Sequence, residues 1–284
     1  WSSGGALIIA RRSLSGAGTQ TAGLAFGGTP NSCTEEYTGA SSSLVKSFDY
    51  SSTTGTVSAD RLDIPGSLTT SGSVEFGYVN NVTAAWSSGG ALITARNDSG
   101  GAGTQNAGLT FGGFVNDPTT VTEEYDGSNW TTGGNLITCR NALGSAGTQD
   151  AALAFGGGFG GVTCTEEYNG SSWSAGGALI TARYMLEGTG TLYAGLAFGG
   201  YGFPSNAYYS CTEEYNGTSW SSGGALITPT RESAGAGTQD AALSIGGTHP
   251  GTNYSSCTEE YDGSTWSAGG ALITARCSLF GAGI

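Results

Sequence analysis

The sequence predicts an all-β fold built from repeated four-stranded units. Three observations support this prediction: glycine accounts for 52 of 284 residues, the apolar segments are short and bounded by Gly, Asn-Gly or Asp-Gly, and a pattern of about 45 residues recurs along the chain. Glycine ordinarily makes up about 7% of a protein. Segments this short between turn residues are typical of strands rather than helices.

The repeat combines fixed spacings with one variable loop. A Thr-Glu-Glu-Tyr block is followed by Trp, then by versions of GGALITAR, GAGTQ and LAFGG. Tyr to Trp is 5 residues and Trp to Arg is 10, except for Arg231, 11 residues after Trp220, where we interpret Pro229 as an added residue. The length varies between Gly-Gly and the next block, in loops of 5, 8, 7, 11 and 10 residues. The blocks lie at Thr34–Tyr37, Thr122–Tyr125, Thr165–Tyr168, Thr212–Tyr215 and Thr258–Tyr261.

Each unit contains two predicted hairpins. Asn-Gly or Asp-Gly separates the Tyr-ending strand from the Trp-beginning strand, and these dipeptides favour the turns that match the twist of paired strands. The GAGTQ and LAFGG segments form the other hairpin. Four short antiparallel strands per unit are typical of a β-propeller blade.

The repeat resembles a known family. An apolar strand ending in Gly-Gly, followed by spaced Tyr and Trp, is similar to the kelch repeat, and the resemblance covers nearly the whole chain. The sequence pattern GAGTQ-x-AALAFGG…TEEYNGSSW resembles repeats of marine bacteriophage virion and tail proteins. The resemblance implies a β-propeller and, for the second match, a place in a virion.

One stretch departs from the pattern. Ser42 stands where Trp should follow the first block, and 44 residues, one unit, separate it from Trp86. We therefore expect a degenerate blade at 42–85 within a single propeller spanning 1–284. The count is then seven blades, with six as the alternative. The closing blade, which would include Trp1–Ala10, is expected to be incomplete, and the chain, which lacks a starting Met, is expected to be a fragment or a processed piece.

Composition limits the partners. The net charge is −13, with 9 Lys and Arg against 22 Asp and Glu, so the clusters of basic residues that bind phosphates are absent and nucleic acid is excluded. No apolar run reaches the ~20 residues of a membrane-spanning helix, so no membrane insertion is expected. Glycans, other virion proteins and homo-oligomers remain open as partners.

The paired glutamates are interpreted as structural. Adjacent residues of a strand point to opposite faces, so Glu166 and Glu167 cannot act together on one substrate. The pair recurs in five units, whereas an active site is normally singular. A partly buried Glu needs a partner, and we expect one Glu–Arg contact per blade. The Arg position is occupied by Arg11, Arg96, Arg140, Arg183, Arg231 and Arg276.

Catalytic, metal and cofactor sites are not predicted. His249 is the single histidine and is expected to be an exposed loop residue, which excludes a multi-His metal site. The residue before the block is predicted to be a small buried apolar position without disulfides; it is Cys33, Cys164, Cys211 or Cys257. The Thr-Gln pairs should line or plug the central channel; they are Thr19–Gln20, Thr104–Gln105, Thr148–Gln149 and Thr238–Gln239.

The variable loops are the candidate binding site. They emerge on one face and carry aromatic residues beside Asn and Asp, the combination that recognises sugars by stacking and by hydrogen bonds to hydroxyls. A rigid scaffold with variable loops is also the general layout of a binding module. The alternative is that the aromatics only pack their own loops. The candidates are Phe114, Asn116, Asp117, Phe159, Tyr201, Phe203, Tyr208, Tyr209, His249, Asn253 and Tyr254.

Three classes of function are compatible with this pattern. The leading interpretation is a non-enzymatic propeller of a phage virion or tail appendage, with a structural role, host-surface glycan recognition, or both. The alternative is a secreted or surface bacterial lectin or protein-interaction propeller. A carbohydrate-active enzyme has the least support, because no concentrated, non-repeating set of acids and Arg is present.

Overall fold

The computed structural model describes residues 5–29, 32–39 and 84–281. These residues form strands and turns, and no helix long and apolar enough to cross a membrane occurs among them. Five four-stranded antiparallel sheets account for all strands but two. The first blade is β1 (Ser15–Gly18), β2 (Ala22–Phe26), β3 (Thr34–Thr38) and β4 (Ala85–Ser88).

The next four blades repeat this arrangement with short connections. The second is β5 (Gly100–Thr104), β6 (Ala107–Phe111), β7 (Thr122–Tyr125) and β8 (Trp130–Thr132); the third is β9 (Gly144–Gly147), β10 (Ala152–Phe155), β11 (Thr165–Tyr168) and β12 (Trp173–Ala175). The fourth is β13 (Glu187–Thr191), β14 (Ala194–Phe198), β17 (Thr212–Tyr215) and β18 (Trp220–Ser222), with the extra hairpin β15 (Tyr201–Gly202) and β16 (Ala207–Tyr208). The fifth is β19 (Ala234–Gly237), β20 (Ala242–Ile245), β21 (Thr258–Tyr261) and β22 (Trp266–Ala268).

The predicted outer hairpin is confirmed. Tyr125 pairs with Trp130, and the turn between them places Gly127 at φ +90°. The Asp126 carboxylate accepts hydrogen bonds from the backbone N–H groups of Ser128 (2.8 Å) and Asn129 (2.7 Å). Asp and Gly thus close the turn through local hydrogen bonding and left-handed backbone geometry.

Small residues allow the inner strands to converge on the axis. An axial cavity of about 80 Å³ is lined mainly by Gly and Ala of β1, β5, β9, β13 and β19. A Cβ at Gly101 would lie 2.7 Å from the carbonyl oxygen of Gly16, so a larger residue would push the first and second blades apart.

Aromatic packing joins each blade to the one before it. The Trp173 ring lies 4.9 Å from Tyr168 in its own blade and 4.7 Å from Phe111 in the preceding blade. Its Nε1 donates to the Thr122 hydroxyl at 3.0 Å. Such aromatic pairs contribute roughly 0.5–1.5 kcal/mol each beyond their buried area, so the repeated Trp stabilises every described interface of this type.

The first blade corrects one assignment. We expected its fourth strand at Ser42, but β3 pairs directly with β4 and Tyr37 faces Trp86, in the register seen in the other blades. The segment 40–83 therefore lies between two strands of one hairpin. The predicted degenerate blade at 42–85 falls, apart from its last two residues, outside the described residues, and Ala85 belongs to β4.

Six equivalent turns surround the axis. Each turn contains a non-glycine residue with φ between 49° and 55°. Five backbone hydrogen bonds join these six residues in a row, since the N–H group of each residue after the first donates to the carbonyl of the preceding one. We call this the αL ring: Ser13, Asp98, Ala142, Met185, Glu232 and Ser278. Five of its members precede the described blades, and after the sixth the Phe280 ring packs against Gly16. The six members of the ring match the alternative prediction of six blades. The prediction of seven blades includes the blade at 42–85, of which 42–83 lie outside the described residues.

Candidate functional site

The first glutamate of each block holds the connection that enters its blade. Glu166 forms an ion pair with Arg140 and accepts the backbone N–H groups of Ile137 (2.7 Å) and Thr138 (3.1 Å). Both side chains are at most 3% exposed. Four described blades contain this pair, so these carboxylates are fully engaged: Arg11–Glu35, Arg96–Glu123, Arg140–Glu166 and Arg183–Glu213.

The second glutamate faces the following blade. The Tyr215 hydroxyl donates to Glu167, and the Tyr261 hydroxyl donates to Glu214 at 2.6 Å. Burial, together with the hydrogen bond to the carboxylate, raises the pKa of Tyr215 to about 12. Adjacent glutamates therefore make contacts on opposite sides of the sheet, one with Arg and one with Tyr.

The fifth blade breaks the Arg pattern, and our interpretation of Pro229 as an added residue is wrong. Thr230 follows Trp220 by 10 residues, as Arg183 follows Trp173. The carbonyl of Thr230 accepts the Gly200 N–H at 2.8 Å, as the carbonyl of Arg183 accepts the Gly157 N–H at 2.9 Å. Thr230 thus occupies the structural position, and Arg231 is displaced onto the loop face.

Arg276 differs from the predicted pattern as well. Its Nε donates to the carbonyl of Thr274 at 3.3 Å, the residue is exposed, and it forms no ion pair with the described residues. The expectation of one Glu–Arg contact per blade therefore holds for four of the five described blades.

The Thr-Gln pairs do not line the channel as expected. Gln149 donates from Nε2 to the carbonyls of Gly108 (3.0 Å) and Tyr125 (2.9 Å) in the preceding blade. Gln239 makes the equivalent bonds to Gly195 and Tyr215. These glutamines lie at the turn after the inner strand, where they satisfy the ends of neighbouring strands.

The cysteine position is also not a buried one. Cys164 and Cys257 are exposed, and all six cysteines are free. The backbone carbonyl of Cys164 accepts from the Gly156 N–H (3.0 Å) and from Arg140 Nη1 (2.8 Å). The position contributes its carbonyl, which any residue supplies, and at Cys211 the Sγ also accepts from Arg183 Nη1 at 2.8 Å. The described residues contain no group of three or more His, Cys, Asp or Glu suited to a metal ion.

The variable loops share one face, which we call the upper face. Each loop connects the second strand of a four-stranded sheet to the third, so all of these loops emerge on the same side of the propeller. Isolated β-bridges such as Asn97–Phe114 and Arg231–Thr248 join them to the turns that precede the αL ring. We call the residue before each member of the ring the face position; at the first five members it lies beside a loop. The face positions are Arg12, Asn97, Asn141, Tyr184, Arg231 and Cys277.

A cleft of about 380 Å³ opens on the upper face, and we call it the axial cleft. Its aromatic wall is formed by Phe114 and Phe159, whose rings are 6.4 Å apart and nearly perpendicular. Phe159 is 77% exposed, so an apolar ring stands free at the edge of the cleft. The lining residues are Arg12, Ser13, Thr29, Asn97, Asp98, Phe114, Asn141, Phe159 and Ser278.

Polar groups form the rest of the axial cleft. Asn141 is only 6% exposed, and its Oδ1 is buried without a hydrogen-bond partner among the described residues. Burial raises the pKa of the Asp98 carboxyl, and its hydrogen bond with Ser13 partly offsets that rise. Since buried polar atoms are nearly always paired, the Oδ1 of Asn141 is an unusual acceptor, unpaired among the described residues, on a residue that lines the cleft.

The structure divides the predicted loop residues. Phe114 and Phe159 line the axial cleft, whereas Asn116 and Asp117 are exposed on the same loop and do not line it. His249 is partly buried rather than exposed, with its ring nitrogens 2.7 Å from the Ser255 hydroxyl and 3.3 Å from the Pro229 carbonyl.

The fourth- and fifth-blade loops hold the other candidates. Tyr201 and Tyr208 pair across β15 and β16, and Tyr209 packs against Gly202. The remaining candidates are exposed and do not line the cleft: Phe203, Asn253 and Tyr254.

Several cleft residues were not predicted from the sequence: Arg12, Asn97, Asp98 and Asn141. The signal for Arg12, Asn97 and Asn141 is positional, because the face position directly follows the structural Arg, and the doublet Arg11–Arg12 shows it most clearly; Asp98 is the ring residue that follows Asn97.

The fold and the cleft together define a β-propeller with a ligand-sized depression on one face. Among solved structures, the one titled "Structure of YjhT" is similar, with a TM-score of 0.69 at 11% identity, covering 97% of this chain and 88% of that chain. No protein-family model matches the chain, and no curated protein matches it. At this identity the likeness supports the propeller fold alone.

Proposed function

We propose that this propeller is a non-enzymatic recognition module that binds a glycan in the axial cleft. The observation that carries the proposal is the free Oδ1 of buried Asn141 beside the exposed ring of Phe159. Few convergent polar groups within a partly apolar concavity are typical of small-ligand sites. The ring would stack on a sugar face, and Asn141 would accept a hydrogen bond from a sugar hydroxyl.

A glycan array followed by calorimetry tests this proposal. We expect Phe159→Ala and Asn141→Ala each to weaken binding of the selected glycan about tenfold, since a lost contact of about 1.4 kcal/mol has that effect. Tyr193→Ala is the matched control, because Tyr193 is 71% exposed, lies in the turn between β13 and β14 and does not line the cleft. Equal binding by all three variants and the parent would exclude the axial cleft as the site.

The setting proposed for this module is a phage virion or tail appendage, where it would have a structural role, a host-recognition role or both. The support is the resemblance of its repeats to virion and tail proteins. Other virion proteins or further copies of the chain would then be its partners. Electron microscopy of particles labelled with an antibody to this chain should show a symmetric location.

The alternative proposal is a secreted or surface bacterial lectin or protein-interaction propeller. The exposed aromatics of the upper face support this proposal equally well. The same antibody would then label cell surfaces or culture medium and leave particles unlabelled. A carbohydrate-active enzyme has less support, because nine of the ten recurring acids of the blocks are engaged in contacts between and within blades, and the tenth, Glu260, is a lone exposed carboxylate.

A further inference from the structure

A second feature of the upper face is an arginine held between tyrosine rings. The guanidinium carbon of Arg231 lies 4.5 Å from the centroid of Tyr201 and 5.0 Å from that of Tyr208. The two rings are 5.2 Å apart and nearly perpendicular, and Tyr184 packs edge-on against Tyr201 at 5.7 Å. The hairpin of β15 and β16 therefore fixes the position of the guanidinium before any ligand arrives.

Among the residues that the structure describes, this arginine has no anionic hydrogen-bond partner. Its Nε is buried without a hydrogen bond to any described residue, and its ion pair with Glu232 is a loose one, because Glu232 Oε1 lies 4.0 Å from Nε, beyond hydrogen-bond distance. The other oxygen of Glu232 accepts from the hydroxyls of Thr248 (3.2 Å) and Ser278 (3.4 Å), so this carboxylate is shared between Arg231 and two hydroxyl groups. The Arg231 side chain remains 24% exposed.

The contrast with the structural arginines is informative. Arg183 donates to Glu213 and to three backbone carbonyls and is fully buried. Arg231 makes none of these bonds, although the chain carries 22 acids. An arginine that is immobilised by rings yet has free N–H groups is suited to receive an oxyanion, because the planar guanidinium pairs bidentately with a carboxylate.

The arginine is linked to the axial cleft through its neighbour Glu232. Ser278 lines the cleft, and its hydroxyl donates to Glu232, the residue that follows Arg231. Arg231 also occupies a face position, as Asn97 and Asn141 of the cleft do. A sugar chain bound in the cleft could therefore extend to the guanidinium.

We propose that Arg231, clamped by Tyr201 and Tyr208, binds the carboxylate of an acidic sugar, so that the glycan recognised by this face contains a uronic acid. The inference rests on the proposed glycan-binding function and names its ligand class. The net charge of −13 repels anions at long range. Recognition must therefore come from the short-range bidentate pair and not from general attraction.

Calorimetry with a tetrameric hexuronate and with its neutral hexose counterpart tests the inference. We expect the parent protein to bind the hexuronate more tightly, and Arg231→Gln to lose at least about tenfold in affinity for the hexuronate while binding of the neutral tetramer is unchanged. Arg231→Lys should recover only part of the loss, because an ammonium cannot pair bidentately.

Arg276→Gln is the matched control, since it removes the same charge from an exposed arginine. An equal loss in both variants would overturn the inference, because net charge alone would then explain it. If the parent protein binds a sulfated form of the hexose tetramer as tightly as the hexuronate, the inference would also be overturned, because Arg231 would then bind oxyanions in general. A third outcome separates the two proposals: the neutral tetramer binds, Phe159→Ala weakens that binding, and Arg231→Gln has no effect on either sugar. The glycan-binding function would then stand and the carboxylate site would be wrong. If neither sugar binds, both proposals are overturned.

Discussion

The connections that enter the fourth and fifth blades have nearly the same sequence but use their arginines differently. In GGALITAR, Arg183 is buried and pairs with Glu213 at 3.1 Å. In GGALITPTR, Thr230 takes that place, and Glu259 keeps only the backbone N–H groups of Ile227 and Thr228. Arg231 is then left on the upper face, between two tyrosine rings.

This difference shows how a repeat protein can gain a site without changing its scaffold. The backbone hydrogen bonds of the two connections correspond, as the Gly157–Arg183 and Gly200–Thr230 contacts show. Two substitutions relative to the fourth-blade connection, Pro for Ala and Thr for Arg, remove one ion pair, and the next residue presents an arginine to solvent. The structural role and the proposed binding role thus belong to neighbouring positions of the same turn.

The largest expected effect concerns the buried pair. Arg183→Met should destabilise the protein by about 3–5 kcal/mol, because it leaves the Glu213 carboxylate buried without its cation. Arg231→Met should cost about 1 kcal/mol or less, since the contacts with the tyrosine rings and a loose, partly exposed ion pair with Glu232 are lost. Urea unfolding of the two variants measures both values. Similar losses would contradict the separation of the two roles.

The second difference between these blades is Glu187 at the start of β13, where the fifth blade has Ala234. Glu187 packs against Gly235, and burial raises its pKa from 4.5 to about 8. Because the folded state then holds a proton that the unfolded state releases, stability should fall as pH rises from about 4.5 to about 8.

Glu187→Gln tests this pH dependence. One pKa unit corresponds to about 1.4 kcal/mol, so the upper limit is about 5 kcal/mol; since the residue retains partial exposure, we expect about 2 kcal/mol. The variant should match the parent at pH 4 and exceed its stability at pH 9 in urea unfolding. Parallel pH profiles for the two proteins would show that Glu187 is not the responsible group.

The smallest expected effect comes from restoring the repeat. Thr230→Arg should place a guanidinium beside Glu259 and stabilise the protein by about 1 kcal/mol, because the hydrogen bonds to a charged partner are offset by the cost of burial. The midpoint of thermal unfolding should rise by about 2–4 °C. Hexuronate binding should not change, since Arg231 stays at its face position. A lower midpoint would indicate that the fifth connection cannot accommodate the side chain.

Much of the fold followed from spacing. The interval of five residues between Tyr125 and Trp130, with Asp-Gly between them, predicted the outer hairpin because it leaves room only for a tight turn. The same reasoning failed in the first blade, where Tyr37 pairs with Trp86 across 49 residues. Spacing reveals a hairpin only when its turn is short, and strand pairing over a long separation is decided by packing.

The candidate site was less predictable. Loop composition identified Phe114 and Phe159. Asn141 and Asp98 were not identified, because they lie in turns directly after the repeated Arg segment, which we interpreted as structural. Arg231 was assigned to the structural position because arginine occupies it elsewhere, and only the hydrogen bonds of Thr230 showed otherwise.

The sequence by itself determined the repeated strands, the turns and the face on which the variable loops emerge, because these depend on local spacing and on glycine. The tertiary structure alone decided which residues from different blades meet at the axial cleft and which arginine is buried or exposed. Those outcomes depend on contacts between residues far apart in the chain, such as Phe114 with Phe159 and Arg231 with Tyr201, and local patterns carry no information about them.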